Sequence, residues 1–171
     1  MVTAGLSFCI PVFGTDAYVG KLLRSVMEQR GAPPFEILVG CDGDLKALNT
    51  LKALKPLYPA MRLFYDPVNH GKFITENTLA SLASYDRLVF IDSDDHLSGP
   101  DVIGTVMDKY HNHDIIALSF TNRVQQGFSR MKHEDGQVRR LVGGNFIIKR
   151  DVFMTMNGFY PWRCRADGPF H

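Results

Sequence analysis

The sequence predicts an α/β fold in which helices cover both faces of an open, mostly parallel sheet. Apolar runs of strand length alternate four times with segments whose apolar residues recur at helical spacing. The apolar runs end abruptly in glycine, proline or acidic residues, as buried strands do at the edge of a sheet. Ligands of such sheets bind outside the carboxyl ends of the strands, so we expect the functional site at that edge.

The first unit of this pattern is a strand from Leu6 to Phe13 that opens into a turn at Gly14. Thr15 or Asp16 is the expected N-cap of the helix that follows. The buried face of that helix is predicted to consist of Val19, Leu22, Leu23, Val26 and Met27.

Two further units follow the same pattern. The second strand, from Phe35 to Val39, is closed by Asp42 and Asp44. Its helix is predicted to bury Leu45, Leu48, Leu51 and Leu54. The third strand, from Met61 to Tyr65, precedes a helix over Lys72 to Ser84 with Ile74, Thr78, Leu79 and Leu82 facing inward.

The fourth strand delivers acids to the sheet edge, because the stretch from Leu88 to Asp95 ends in Asp92, Ser93, Asp94 and Asp95. Neighbouring carboxylates repel one another, and a divalent cation or a bound polyol would offset that repulsion. Oxygen ligands favour Mg²⁺ or Mn²⁺ over Zn²⁺. The alternative is that these acids only cap the helix that begins near Ser98.

The pattern changes after residue 114. We expect a strand from Ile115 to Phe120, a polar stretch, and a weaker strand that ends at Ile148. A short helix from Asp151 to Asn157 should end at Gly158. We therefore expect one domain with two halves, residues 1–114 and a smaller, mixed region over residues 115–171.

The composition excludes several classes of function. A chain of 171 residues with 45% apolar content suits a single globular domain, and a net charge of +1 does not favour nucleic acid as a partner. Cys9, Cys41 and Cys164 lack the spacing of a zinc site or a disulfide framework, which predicts a cytoplasmic protein. No apolar run approaches the roughly 18 residues that a membrane span needs.

Four motifs, taken in order, resemble those of family 2 glycosyltransferases with the Rossmann-like GT-A fold. They are the strand end Pro11, Val12 and Phe13, the pair Asp42 and Gly43, the set Asn69, Gly71 and Asn77, and the run Asp92 to Asp95. The resemblance covers nearly the whole chain. It implies that the donor is a nucleotide-diphosphate sugar, with a UDP-sugar the most favoured. The sugar would pass with inversion to a hydroxyl of a carbohydrate or glycolipid acceptor.

The resemblance also assigns roles on the donor side. The backbone of Pro11, Val12 and Phe13 would flank the base, Asp42 would accept a hydrogen bond from the base, and Asp92 would meet the ribose. Ser93 belongs to the same donor-binding run, and Asp94 would bind the metal that bridges the phosphates. Lys72 would add positive charge at the phosphates, although a solvated lysine at a helix start is the alternative.

On the acceptor side, the resemblance points to Asp167 as the base that takes a proton from the acceptor hydroxyl. Asp167 precedes a glycine, so a turn residue is the alternative, and the glutamate that precedes the base in the family is absent. Gly144 would line the acceptor pocket or form a tight turn, and Trp162 would stack on a sugar or pack in the core.

Two other functions compete with sugar transfer. Asp92, Ser93 and Asp94 also resemble the nucleophile loop of haloacid dehalogenase-type phosphatases, but that loop lies near the start of its domain, whereas alternating strands and helices precede it here. A non-catalytic module that binds nucleotide sugars or a partner is the third possibility. Because the chain stops soon after Asp167, we expect a catalytic core that continues in a longer protein or borrows a wall from a partner.

Overall fold

A computed structural model of the chain describes residues 3–15, 17–118 and 145–160. The predictions for Asp16, Gly144, Trp162 and Asp167 lie outside these residues and stay predictions. Among the helices that the structure describes, none has the length and the apolar character needed to span a membrane.

Strands and helices alternate in the described residues as the sequence predicts. Their bounds are β1 Thr3–Val12, α1 Val19–Met27, β2 Phe35–Asp42, α2 Leu45–Leu54, a short 3₁₀ helix Lys55–Leu57, β3 Met61–Asp66, α3 Lys72–Ser81, β4 Tyr85–Phe90, α4 Val102–Tyr110, β5 Ile115–Ala117, β6 Phe146–Lys149 and α5 Arg150–Thr155.

The strands form one six-stranded sheet in the order β3-β2-β1-β4-β6-β5. β1 pairs in parallel with β2 and β4, and β2 pairs in parallel with β3. β6 is antiparallel to both β4 and β5, and Leu118 N donates a hydrogen bond to Asn145 O at 2.9 Å beyond their paired residues. The predicted α/β class with a mostly parallel sheet is therefore confirmed, and the region after β4 is mixed.

Side chains alternate between the two faces of the sheet because successive residues of a strand point in opposite directions. On one face, residues such as Phe8, Ile10 and Val89 pack with apolar residues of α1, α2 and α4. On the other face, Cys9 and Phe90 pack with residues of α3 and α5. Helices thus cover both faces, as predicted.

Part of the predicted helix packing is wrong. Leu45 is 65% exposed, and Met27 is also exposed. The buried residues of α3 are Glu76, Leu79 and Ala80, whereas Thr78 lies in solvent. The predicted face of this helix differs from the actual one, because an acidic residue such as Glu76 is expected to lie in water.

The predicted cap of α1 by Thr15 is also wrong. The N-cap residue is Tyr18, which makes no side-chain capping bond, and the hydroxyl of Thr15 instead hydrogen-bonds the hydroxyl of Ser93. α2 does have a side-chain cap, because Asp44 Oδ1 accepts hydrogen bonds from the backbone of its first turn. Asp44 Oδ2 also accepts from Gly14 N at 2.9 Å, so this carboxylate ties the end of β1 to α2.

Candidate functional site

The candidate site lies where the order of the strands changes direction. The chain builds outward from β1 through β2 to β3, and then places β4 on the other side of β1. Cys9 of β1 pairs with Phe90, the last residue of β4, so the acidic run begins beside the carboxyl end of β1. Such a switch point leaves a crevice between diverging connections, where ligands of α/β sheets bind.

Three carboxylates cluster at this point. One ligand oxygen from each of Asp92, Asp94 and Asp95 lies within 4.8 Å of the others. Asp95 N donates a hydrogen bond to Asp92 O at 3.0 Å, which folds the run into a turn and brings the carboxylates together. A set of only carboxylate oxygens suits a hard divalent cation, so these residues fit Mg²⁺ or Mn²⁺.

Asn145, which directly precedes β6, supports the acidic turn. Its Nδ2 donates to Asp95 Oδ2 at 2.7 Å, and Asp92 N donates to its Oδ1 at 3.4 Å. Burial raises the pKa of Asp95, as does repulsion from Asp94 and Asp92, against the lowering effect of the Asn145 hydrogen bond. No local pattern predicts these contacts of Asn145, because only the antiparallel pairing of β6 with β4 brings it to the acids.

Lys72 joins α3 to the acidic cluster. Its Nζ forms an ion pair with Asp92 Oδ1, and lies 4.0 Å from Oε1 of Glu76 on the same helix. The Lys72 side chain therefore faces the site, contrary to the alternative of a fully solvated lysine. Burial raises the pKa of Glu76 to about 8, an effect that the charge of Lys72 reduces and the charge of Asp92 increases.

Asp42, at the end of β2, holds the loop that leads to Lys72. This carboxylate is 3% exposed, and its two oxygens accept hydrogen bonds from His70 N and Gly71 N, each at 2.8 Å. Gly43 approaches the same loop so closely that a Cβ there would lie 2.6 Å from Asn69 N. The structure thus brings together the predicted motif residues of β2 and α3, while the contact of Asp42 with a base stays a prediction.

The strand end of β1 presents the remaining donor-side candidates. Pro11 and Val12 are buried, whereas Phe13 is 52% exposed at the edge of the sheet. An exposed aromatic ring offers a flat apolar face to a planar ligand group. Ser93 is buried, and its hydrogen bond with Thr15 joins the ends of β1 and β4.

Asn77 connects α3 to the chain that follows α5. Its Nδ2 donates to Phe159 O at 2.8 Å, and Phe159 N donates to its Oδ1 at 2.9 Å. Phe159 also packs against the rings of other phenylalanines, which are Phe73, Phe90, Phe146 and Phe153. These contacts fix the described chain up to residue 160.

Comparison with known proteins identifies a family for the sequence. Residues 7–165 match the family model described as Glycosyl transferase family 2. The search of curated proteins found no match.

Solved glycosyltransferases share the fold of the chain. A mannosyltransferase, PcManGT from Pyrobaculum calidifontis in complex with GDP-Man and Mn²⁺, superposes with a TM-score of 0.79 at 16% identity, over 93% of this chain and 48% of that one. S. aureus TarS 1-349 in complex with UDP gives a TM-score of 0.75 at 16% identity, over 92% of this chain and 50% of that one. The chain therefore spans about half the length of either protein.

Proposed function

This chain belongs to glycosyl transferase family 2, and on that premise we propose that it moves a sugar from a nucleotide-diphosphate sugar to a hydroxyl of a carbohydrate or glycolipid acceptor. The observation that carries the proposal is the cluster of Asp92, Asp94 and Asp95 at the switch point of the sheet. We assign donor binding to residues 1–114 and acceptor binding to residues 115–171. A UDP-sugar is the donor we favour. TarS holding UDP supports that donor, whereas PcManGT holds GDP-Man.

The donor half would bind the nucleotide along the carboxyl ends of β1, β2 and β4. Asp94, helped by Asp92 and Asp95, would hold Mn²⁺ or Mg²⁺, which neutralises the charge that develops on the leaving diphosphate. Lys72 would add a second positive charge there. The ring of Phe13 and the carboxylate of Asp42 are the groups we assign to the base, together with the backbone of Pro11 and Val12, while Ser93 holds the two strand ends together.

The transfer step that we propose is a direct displacement at the anomeric carbon. The acceptor oxygen forms a bond to that carbon while the bond to the diphosphate breaks, and the electron pair leaves with the nucleoside diphosphate. The proton of the acceptor hydroxyl passes to Asp167, and attack opposite the leaving group inverts the anomeric centre. Gly144 and Trp162 are the residues we assign to the acceptor.

Thermal unfolding with a panel of nucleotides and nucleotide sugars, with and without Mn²⁺, tests the donor site. A ligand at about a hundred times its dissociation constant should stabilise the protein by about 2.7 kcal/mol. Asp94→Asn should remove the part of that stabilisation that depends on Mn²⁺, whereas Asp108→Asn, an exposed acid on α4, should not. The same Mn²⁺-dependent shift in wild type and Asp94→Asn would refute the metal assignment.

Transfer of sugar by the Asp167→Asn variant tests the base. We expect donor binding to persist and the transfer rate to fall by a factor on the order of 10² to 10⁴, the usual contribution of a general base. Transfer at the wild-type rate would show that Asp167 is not the base.

We also propose a cytoplasmic location, which the buried, free thiols of Cys9 and Cys41 support.

A further inference from the structure

Glu76 occupies an unusual position for an acidic residue. It lies on the buried face of α3 and is only 1% exposed. Within the described part of the chain, neither its Oε1 nor its Oε2 has a hydrogen-bond partner. Buried carboxyl groups nearly always have such partners, because leaving one unpaired costs free energy. As far as the described residues extend, both oxygens of Glu76 can therefore receive a donor.

The donor within reach is the ammonium of Lys72, one turn earlier on the same helix. Lys72 Nζ lies 4.0 Å from Glu76 Oε1, about 1 Å beyond hydrogen-bond distance, while it forms an ion pair with Asp92. A lysine has a flexible stem of four methylene groups, so a small rotation transfers Nζ from one acid to the other. Lys72 thus stands between an acid of the candidate metal cluster and a buried acid that accepts no hydrogen bond from the described residues.

We propose that Lys72 competes with the divalent cation for Asp92, and that Glu76 is the positioning residue that receives the Lys72 ammonium when the cation binds. The inference rests on the proposed function, because it takes a metal at Asp92, Asp94 and Asp95. A cation that binds there repels the ammonium from Asp92. Glu76 then supplies the hydrogen-bond acceptor that Lys72 loses at Asp92.

The proposal predicts that Lys72 and Glu76 are coupled to each other in their effect on the affinity for the cation. In the metal-free protein, the ammonium reduces the apparent metal affinity by the fraction of molecules in which it occupies Asp92. Glu76 lowers that fraction by offering the ammonium a second place. Removing Glu76 should therefore weaken metal binding only when Lys72 is present.

Titration with Mn²⁺ alone, followed by the electron paramagnetic resonance signal of the free ion, measures this coupling. Lys72→Met should bind Mn²⁺ about tenfold more tightly than wild type, the factor expected if the ammonium occupies Asp92 in about nine of ten metal-free molecules. Glu76→Met, which removes both acceptor oxygens, should bind Mn²⁺ several-fold more weakly. The double variant should match Lys72→Met, and Lys52→Met, which removes an exposed charge on α2, should match wild type.

The outcomes separate this inference from the proposed function. Equal weakening by Glu76→Met with and without Lys72 would mean that Glu76 acts only on the structure, and would overturn the inference. Equal Mn²⁺ affinity in wild type and Glu76→Met, together with loss of binding in Asp94→Asn, would overturn the inference and leave the metal site standing. Wild type that binds no Mn²⁺ would overturn both. If Glu76→Met does not fold, Glu76→Leu provides the same comparison with another apolar side chain.

Discussion

The buried carboxylate of Asp42 holds the loop before α3 in place. Both oxygens accept hydrogen bonds from consecutive backbone amides, His70 N and Gly71 N. An asparagine at this position would present an NH₂ group to one of those amides and leave a buried donor unpaired. We expect Asp42→Asn to lower the free energy of unfolding by about 1–3 kcal/mol, the usual cost of one unsatisfied buried group.

Urea unfolding measures this effect. Asp66→Asn is the matched control, because Asp66 ends the neighbouring strand and accepts a bond from Val68 N at 2.9 Å, but lies in solvent. Asp66→Asn should lower the free energy of unfolding by less than about 1 kcal/mol, since water replaces the Asp66 carboxylate as the acceptor for Val68 N. Equal losses in the two variants would show that the bonds of Asp42 do not stabilise the loop.

Glu76 should make the stability of the protein depend on pH. Burial raises its pKa in the folded protein to about 8, above the ordinary value of 4.5, so the folded state holds a proton that the unfolded state releases between these pH values. The favourable contribution is complete below about pH 4 and is lost as the pH rises toward 8, with a slope on the order of 1 kcal/mol per pH unit.

Urea unfolding of wild type and Glu76→Gln from pH 5 to pH 8 tests this sign. We expect the free energy of unfolding of wild type to fall relative to that of the variant as the pH rises, because glutamine cannot release a proton. A difference between the two proteins that stays constant, or that grows in favour of wild type, would contradict the raised pKa.

Single residues mark the limits of prediction from this sequence. The position of Asp92 and Asp94 beyond the end of β4 was predictable, because a buried apolar run that ends in acids delivers them to the edge of the sheet. Asn145 was not, because its place beside the acids depends on a strand pairing with no local signal. Glu76 escaped notice because a carboxylate inside a protein contradicts the ordinary preference of acids for water.

At the level of whole elements, Asn77 and Gly158 couple α3 to the chain after α5. Gly158 has a φ of +71°, and a Cβ at this glycine would lie 2.5 Å from Asn77 Oδ1. Gly158→Ala should therefore destabilise the protein by about 1–2 kcal/mol through backbone strain, and further through the clash. Asn77→Ala should cost about 2 kcal/mol through loss of its two hydrogen bonds with Phe159.

A double-mutant cycle in urea separates these effects. The clash with Asn77 disappears in the double variant, so its loss of stability should be smaller than the sum of the two single losses by at least about 0.5 kcal/mol. Simple additivity would mean that the two sites act independently and that the contact does not join the elements.

The elements themselves were largely predictable from hydrophobic period. Buried strands such as β1 and β2 appear as short apolar runs, and α1 shows a continuous apolar stripe. The order of the strands was less accessible, because the antiparallel entry of β6 beside β4 arises from long-range pairing that no local pattern encodes. The buried face of α3 was predicted wrongly, because Glu76 lies on it although acids are expected to lie in water.

At the scale of the whole molecule, the described residues of the two halves share one sheet, and both halves contribute to the apolar cluster on each of its faces. β6 covers the free edge of β4, and Phe146 and Phe153 pack against Phe90. A fragment of residues 1–114 would expose that edge and that apolar face. We expect the fragment to lack cooperative unfolding and near-ultraviolet circular dichroism, while far-ultraviolet signal remains.

Comparison of the fragment with the full chain in urea checks this expectation. A cooperative transition with the midpoint of the full chain would show that residues 1–114 fold independently, and the two halves would then be separate domains.

The hydrogen bond from Leu118 N to Asn145 O has a consequence for how such proteins diverge. It holds Leu118 and Asn145, the described residues that flank 119–144, beside each other next to β5 and β6. The entropy of closing a chain between fixed, adjacent ends grows only slowly with the length of the chain. Evolution or an engineer can therefore lengthen, shorten or exchange this stretch at little cost to the sheet. Under the assignment we propose, acceptor preference can change in this way while the donor-binding residues keep their places.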